Sequence, residues 1–110
     1  MKTVTLYRPT GSNELELVKQ SGYKKWPPRL PEQPIFYPVL TENYAMRIAK
    51  EWNINDSGCG FVTQFEVDAN YLEQFDVQVA GGNAYQEYWI PAEQLEEFNA
   101  HIVGLSLIHI

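Results

Sequence analysis

Residues Thr3–Arg8 alternate and are rich in Val, Thr, Leu and Tyr, which predicts a strand. Pro9-Thr10-Gly11-Ser12 breaks it. Asn13–Gln20 then changes to helical spacing, with Ser12 or Asn13 as N-cap and Leu15, Leu17 and Val18 as the buried side. Gly22 is placed to end this helix as a C′ glycine. Tyr23–Trp26 reads as a short strand. Four prolines in Pro27–Pro34 remove donors and torsional freedom, so that stretch is expected to be a stiff extended loop. Ile35–Val39 is a predicted strand in which Pro38 implies an edge or an end. Thr41 is a suitable N-cap for a helix over Glu42–Trp52, where Tyr44, Ala45, Ile48, Ala49 and Trp52 keep one face.

Asn53–Gly60 is rich in turn residues. Phe61, Thr63, Phe65 and Val67 alternate along a further strand. Asp68–Gln74 reads as a helical turn and Phe75–Ala80 as a strand. Gly81-Gly82-Asn83 is a loop signal. In Tyr85–Ile90 the two-residue period sets Tyr85, Glu87 and Trp89 on one face and Tyr88 and Ile90 on the other. Pro91 suits the first position of a helix over Ala92–Asn99, and His101–Val103 opens a last strand. Without an internal repeat or a linker, this order predicts one α+β domain.

The chain has 110 residues, 45% of them hydrophobic, with a mean hydropathy of −0.34, as expected for a globular domain with one modest core. No apolar run approaches a membrane span, and Met1-Lys2-Thr3-Val4 lacks the apolar stretch of a signal peptide. The single cysteine, Cys59, excludes an internal disulfide and favours a reducing compartment such as the cytoplasm. It lies between glycines with no base nearby in sequence and reads as inert. No histidine cluster suggests a metal site.

Charge divides sharply. All eight Lys and Arg fall in residues 1–50, against four acids, for +4; residues 51–110 hold ten acids and no Lys or Arg, for −10. The acidic half argues against nucleic acid as a partner. It is also compatible with a small interaction protein that neutralises a basic partner.

The candidate chemistry centres on Glu87, a carboxylate inside an aromatic and apolar run, which is costly unless paired or used. Arg8 and Tyr37, each at a strand end, complete a candidate nucleotide pocket. Read without a site, Glu87 pairs with Lys24 or Lys25, Arg8 is a surface ion-pair residue, Tyr37 and Tyr44 are core or rim aromatics, and Trp26, Trp52 and Trp89 are core.

Taken in order, Leu6-Tyr7-Arg8-Pro9-Thr10-Gly11, Ile35-Phe36-Tyr37-Pro38 and Gln86-Glu87-Tyr88-Trp89-Ile90-Pro91 make the chain resemble the ADP-ribosyltransferase superfamily over roughly residues 3–104. It looks closest to a group of short bacterial proteins. The resemblance implies a split mixed or antiparallel sheet with a few short helices. It also implies NAD as substrate, with ADP-ribosyl transfer to an unknown acceptor or NAD glycohydrolysis. Glu87 is then the catalytic carboxylate, Arg8 grips phosphate or ribose, and Tyr37, with Tyr44, stacks on nicotinamide. Arg8 stands where the tyrosine-type branch has His. Tyr85 stands where arginine-modifying members have Glu or Gln. A binding module for a nucleotide, ADP-ribose or a protein on the same fold is the alternative. Leu105–Ile110 matches one translated frame of a common transposase sequencing adaptor, so the natural domain is expected to run from 1 to about 104.

Overall fold

The computed structural model describes residues 2–27, 35–55, 61–79 and 86–109. Its elements are β1 (Thr3–Thr10), α1 (Ser12–Gln20), β2 (Ile35–Phe36), α2 (Glu42–Asn55), β3 (Phe61–Asp68), α3 (Ala69–Leu72), β4 (Val77–Val79), β5 (Gln86–Tyr88), β6 (Ile90–Pro91), a 3-10 turn (Ala92–Gln94), α4 (Leu95–Ala100) and β7 (Ile102–His109). Of the predicted loops, all but Pro27 of Pro27–Pro34, residues 56–60 of Asn53–Gly60, and Gly81-Gly82-Asn83 lie outside the described residues; Asn53–Asn55 are helical, since α2 runs past the end expected at Trp52.

Among the described residues the strands form three antiparallel sheets, β1-β3-β7, β2-β6 and β4-β5. Val39 joins them. Its N–H and C=O both bond Tyr7 of β1 at 2.8 Å, and it stands opposite Glu87 of β5. The pairs Ile35–Pro91, Phe36–Ile90 and Val39–Glu87 keep one register. Residues 35–40 therefore run beside 86–91 as one strand beside another. The Tyr88 N–H donates to the Pro38 carbonyl at 2.9 Å, and the Leu40 N–H to the Gln86 carbonyl at 3.0 Å. Proline has no N–H to return the first bond, so the ladder lapses there. Pro38 thus lies just past the end of β2, one of the two places expected for it, and the missing N–H costs one bond between residues 35–40 and 86–91.

The sheet has two covered faces. Leu6, Arg8, Phe65, Val67, Phe36, Tyr88 and Ile90 point to the first. There they meet Val18 of α1, Trp26, Tyr71 and Leu72 of α3, and Leu95 and Phe98 of α4. Trp26, Phe36, Phe65 and Phe98 meet at tilted or edge-on angles, with centroids 5.3–6.1 Å apart. The second face carries Tyr7, Val39 and Val62, covered by Ala45 and Ala49 of α2 with Tyr44 and Met46 beside them. Small residues on α2 let it approach the sheet closely. Thr41 caps this helix as expected, its hydroxyl accepting from the Tyr44 N–H at 3.2 Å.

Local rules explain most element ends. Gly22 closes α1 at φ 78°: its N–H bonds the Lys19 carbonyl, and the Tyr23 N–H bonds the Val18 carbonyl at 3.0 Å. Tyr23 itself takes φ 59°, which rules out the strand expected over Tyr23–Trp26. The N-cap position of α1 is Gly11, not Ser12 or Asn13. Leu17, expected on the buried side, is 50% exposed. β7 extends through His109, so Leu105 and Leu107 pair with Phe65 and Thr63 of β3. No helix among the described residues is long and apolar enough to cross a membrane.

Candidate functional site

Register assigns the candidate residues to faces before any side chain is considered. Arg8 stands opposite Thr63 on the first face, whereas Glu87 stands opposite Val39 on the second. Tyr37, in the same register opposite Trp89, shares the second face with Glu87. Tyr44 reaches it from the first turn of α2. The structure therefore gathers Glu87, Tyr37 and Tyr44 on one side and turns Arg8 to the other.

On the second face the Glu87 carboxylate has two donors among the described residues. Tyr44 donates its hydroxyl to Oε2 at 3.4 Å, and Trp89 donates Nε1–H to Oε1 at 3.0 Å. The Trp89 ring meets Tyr37 edge-on, with centroids 6.3 Å apart and planes at 85°. Tyr37 is 41% exposed and Trp89 45% exposed. Two accessible aromatic rings thus border a carboxylate of fixed orientation. Its lone pairs are not all used by two donors, so it can accept more hydrogen bonds. Such a surface favours flat groups through ring contacts and cationic ones through both the carboxylate and the ring faces.

Trp89 is the residue the sequence reading placed wrongly, as core. The alternation itself carried the signal, because Trp89 shares Glu87's face while Tyr88 and Ile90 take the apolar one. Neither Lys24 nor Lys25 pairs with Glu87; the donors are aromatic instead.

Arg8 is 7% exposed. Its Nε and Nη2 donate to the two Glu14 carboxylate oxygens at 2.7 and 3.1 Å, a bidentate fork. Nη1 reaches the Tyr37 carbonyl at 3.5 Å. The guanidinium lies 4.5 Å from the Phe36 ring centroid and 5.6 Å from that of Trp26. A buried cation held by a carboxylate, a carbonyl and two rings is fully committed within the fold. Glu14 was not singled out in the sequence. It follows Arg8 by six positions, past the end of β1 and Gly11, and only the direction of α1 brings them together.

Among the described residues no three metal-ligating side chains cluster. Cys59 lies outside the described residues. Comparison of the chain with protein-family models, with curated proteins and with solved structures finds no match.

Proposed function

We propose that the second face binds the nicotinamide end of NAD, on an ADP-ribosyltransferase-like α+β domain, and that the chain acts first as a binding module. The observation that carries this reading is Glu87, oriented by Tyr44 and Trp89 beside the exposed rings of Tyr37 and Trp89. Oxidised nicotinamide is a flat pyridinium cation. It matches an aromatic surface with a carboxylate better than a neutral or purely anionic group does. Arg8 takes no part, since its guanidinium is enclosed on the opposite face with Glu14.

NAD cleavage is the second reading, favoured by the hydrogen-bonding capacity left on Glu87. In that reaction the bond between the ribose C1′ and the ring nitrogen breaks, and its electron pair leaves with neutral nicotinamide. Water or an acceptor hydroxyl or amine bonds to C1′ and loses a proton. Glu87 would stabilise the positive charge that develops on the ribose.

Titration of the protein with NAD and NADH, followed by tryptophan fluorescence, tests the binding reading. Reduction removes the ring's charge and its aromaticity. NAD is expected to bind about tenfold tighter than NADH, the scale of one cation–aromatic contact plus a carboxylate. Glu87→Gln should erase most of that preference. Equal affinity for the two forms, or no binding of either, would refute it. Nicotinamide release measured alongside decides the second reading, because cleavage requires release that Glu87→Gln abolishes.

A further inference from the structure

Tyr37 and Trp89 face each other across paired strands with their rings at 85° and their centroids 6.3 Å apart. Both residues are nearly half exposed. A flat ligand ring can lie against only one of two perpendicular walls, whereas a rounded group can touch both. Glu87 brings charge to this corner. Its Oε1 accepts the Trp89 Nε1–H at 3.0 Å and its Oε2 the Tyr44 hydroxyl at 3.4 Å, so the carboxylate stands at the edge of the indole. The one N–H of the indole is spent on that bond. What Trp89 leaves to a ligand is an apolar ring face of negative potential.

We infer that the Tyr37–Trp89 corner binds a methylated ammonium group, the head carried by choline or by a trimethylated lysine. Methyl groups spread the positive charge over a rounded apolar surface and remove the N–H donors, so the cation gives up less hydration when it meets the rings. A bare ammonium keeps three N–H donors that need acceptors, which ring faces supply poorly. An anion would meet Glu87, in the part of the chain, residues 51–110, that has no Lys or Arg. A neutral group of the same shape would fill the corner without the attraction of its charge. This binding uses the surface assigned above to nicotinamide but does not depend on NAD being a ligand.

NMR of the indole N–H groups reads the corner directly, because the Trp89 Nε1–H lies beside it. Choline should move that resonance and bind at least about fivefold tighter than 3,3-dimethylbutan-1-ol, its neutral isostere. Glu87→Gln should lower the choline affinity several-fold and leave that of the isostere unchanged. Tyr37→Ala keeps the reporter and removes one wall; with unchanged circular dichroism, it should lose most of the choline affinity. A short peptide bearing trimethyl-lysine separates the two sources: affinity equal to that of choline marks recognition of the head alone, and tighter binding marks a lysine-bearing partner. Choline and isostere bound equally, Glu87→Gln without effect on choline, or no shift with either trimethylated ligand would overturn the inference. Choline bound without NAD would uphold it and refute the nicotinamide reading. NAD bound at Trp89 with neither trimethylated ligand bound would do the reverse.

Discussion

Arg8 shows how little a residue's type says about its task until its face is known. Arginine at the end of a first strand suits phosphate binding, and nothing in Leu6-Tyr7-Arg8-Pro9 distinguishes that role from an internal one. Here the planar fork that would clamp a phosphate clamps Glu14 at 2.7 and 3.1 Å instead. Tyr71 is a second case. It is buried, its hydroxyl has no hydrogen-bond partner among the described residues, and its ring stacks on His101 with centroids 4.1 Å apart. Burial, reinforced by the negative charge of Glu97, pushes its pKa up from 10.0 to about 12. The folded state thus holds the phenolic proton more tightly than the unfolded one. That contribution is fully present below pH 10 and is lost as pH rises from about 10 through about 12. Tyr71→Phe removes both the titration and an unpaired buried hydroxyl. It should raise stability by about 1 kcal/mol near neutrality. In denaturant melts at increasing pH, its advantage over the wild type should widen above pH 10; a constant difference would contradict this account.

At the scale of elements, the strands with strict alternation were legible. Phe61–Val67 and the region around Glu87 appear where the two-residue period placed them, because burying one face of a sheet fixes that period. What escaped was governed by contacts distant in sequence. Tyr23–Trp26 has strand-forming residues yet forms no strand. Its backbone is instead held by Asn99 of α4, whose Oδ1 accepts from the Trp26 N–H at 2.9 Å and whose Nδ2 donates to the Trp26 carbonyl at 3.0 Å. One side-chain amide, 73 residues away, supplies both bonds that a neighbouring strand would have made. No local pattern encodes that. Asn99→Ala leaves both backbone groups unpaired where Trp26 enters the core, and should destabilise by about 2 kcal/mol. Asn99→Asp keeps the acceptor and loses the donor, so it should fall between the two. Urea unfolding of the three proteins gives the order directly. An Asn99→Ala protein as stable as the wild type would mean that the clamp contributes nothing.

For the whole molecule, the decisive fact is that one sheet separates two chemically different sides. The candidate site was half legible. Glu87, Tyr37 and Tyr44, which the resemblance grouped with Arg8, share a face, and Arg8 does not, because strand register decides faces and sequence order alone does not give it. This arrangement makes stability and ligand response separable. Arg8→Met removes a buried cation together with its bidentate bond to Glu14 and its contacts with the Phe36 and Trp26 rings, which should cost about 3 kcal/mol and lower Tm. Trp89→Ala removes a half-exposed ring and should change Tm far less. Ligand binding to the folded state alone raises stability by about 2.7 kcal/mol at a hundredfold excess over Kd, on the order of 10 °C for a domain of this size. With NAD at that excess, Arg8→Met should start from a lower Tm and still rise by the wild-type increment. Trp89→Ala should start near the wild-type Tm and rise little. Thermal melts of the three proteins with and without NAD separate the two faces in one experiment. If Arg8→Met instead lost the NAD-induced rise while Trp89→Ala kept it, the ligand would belong on the Arg8 side and the second face would not be its site.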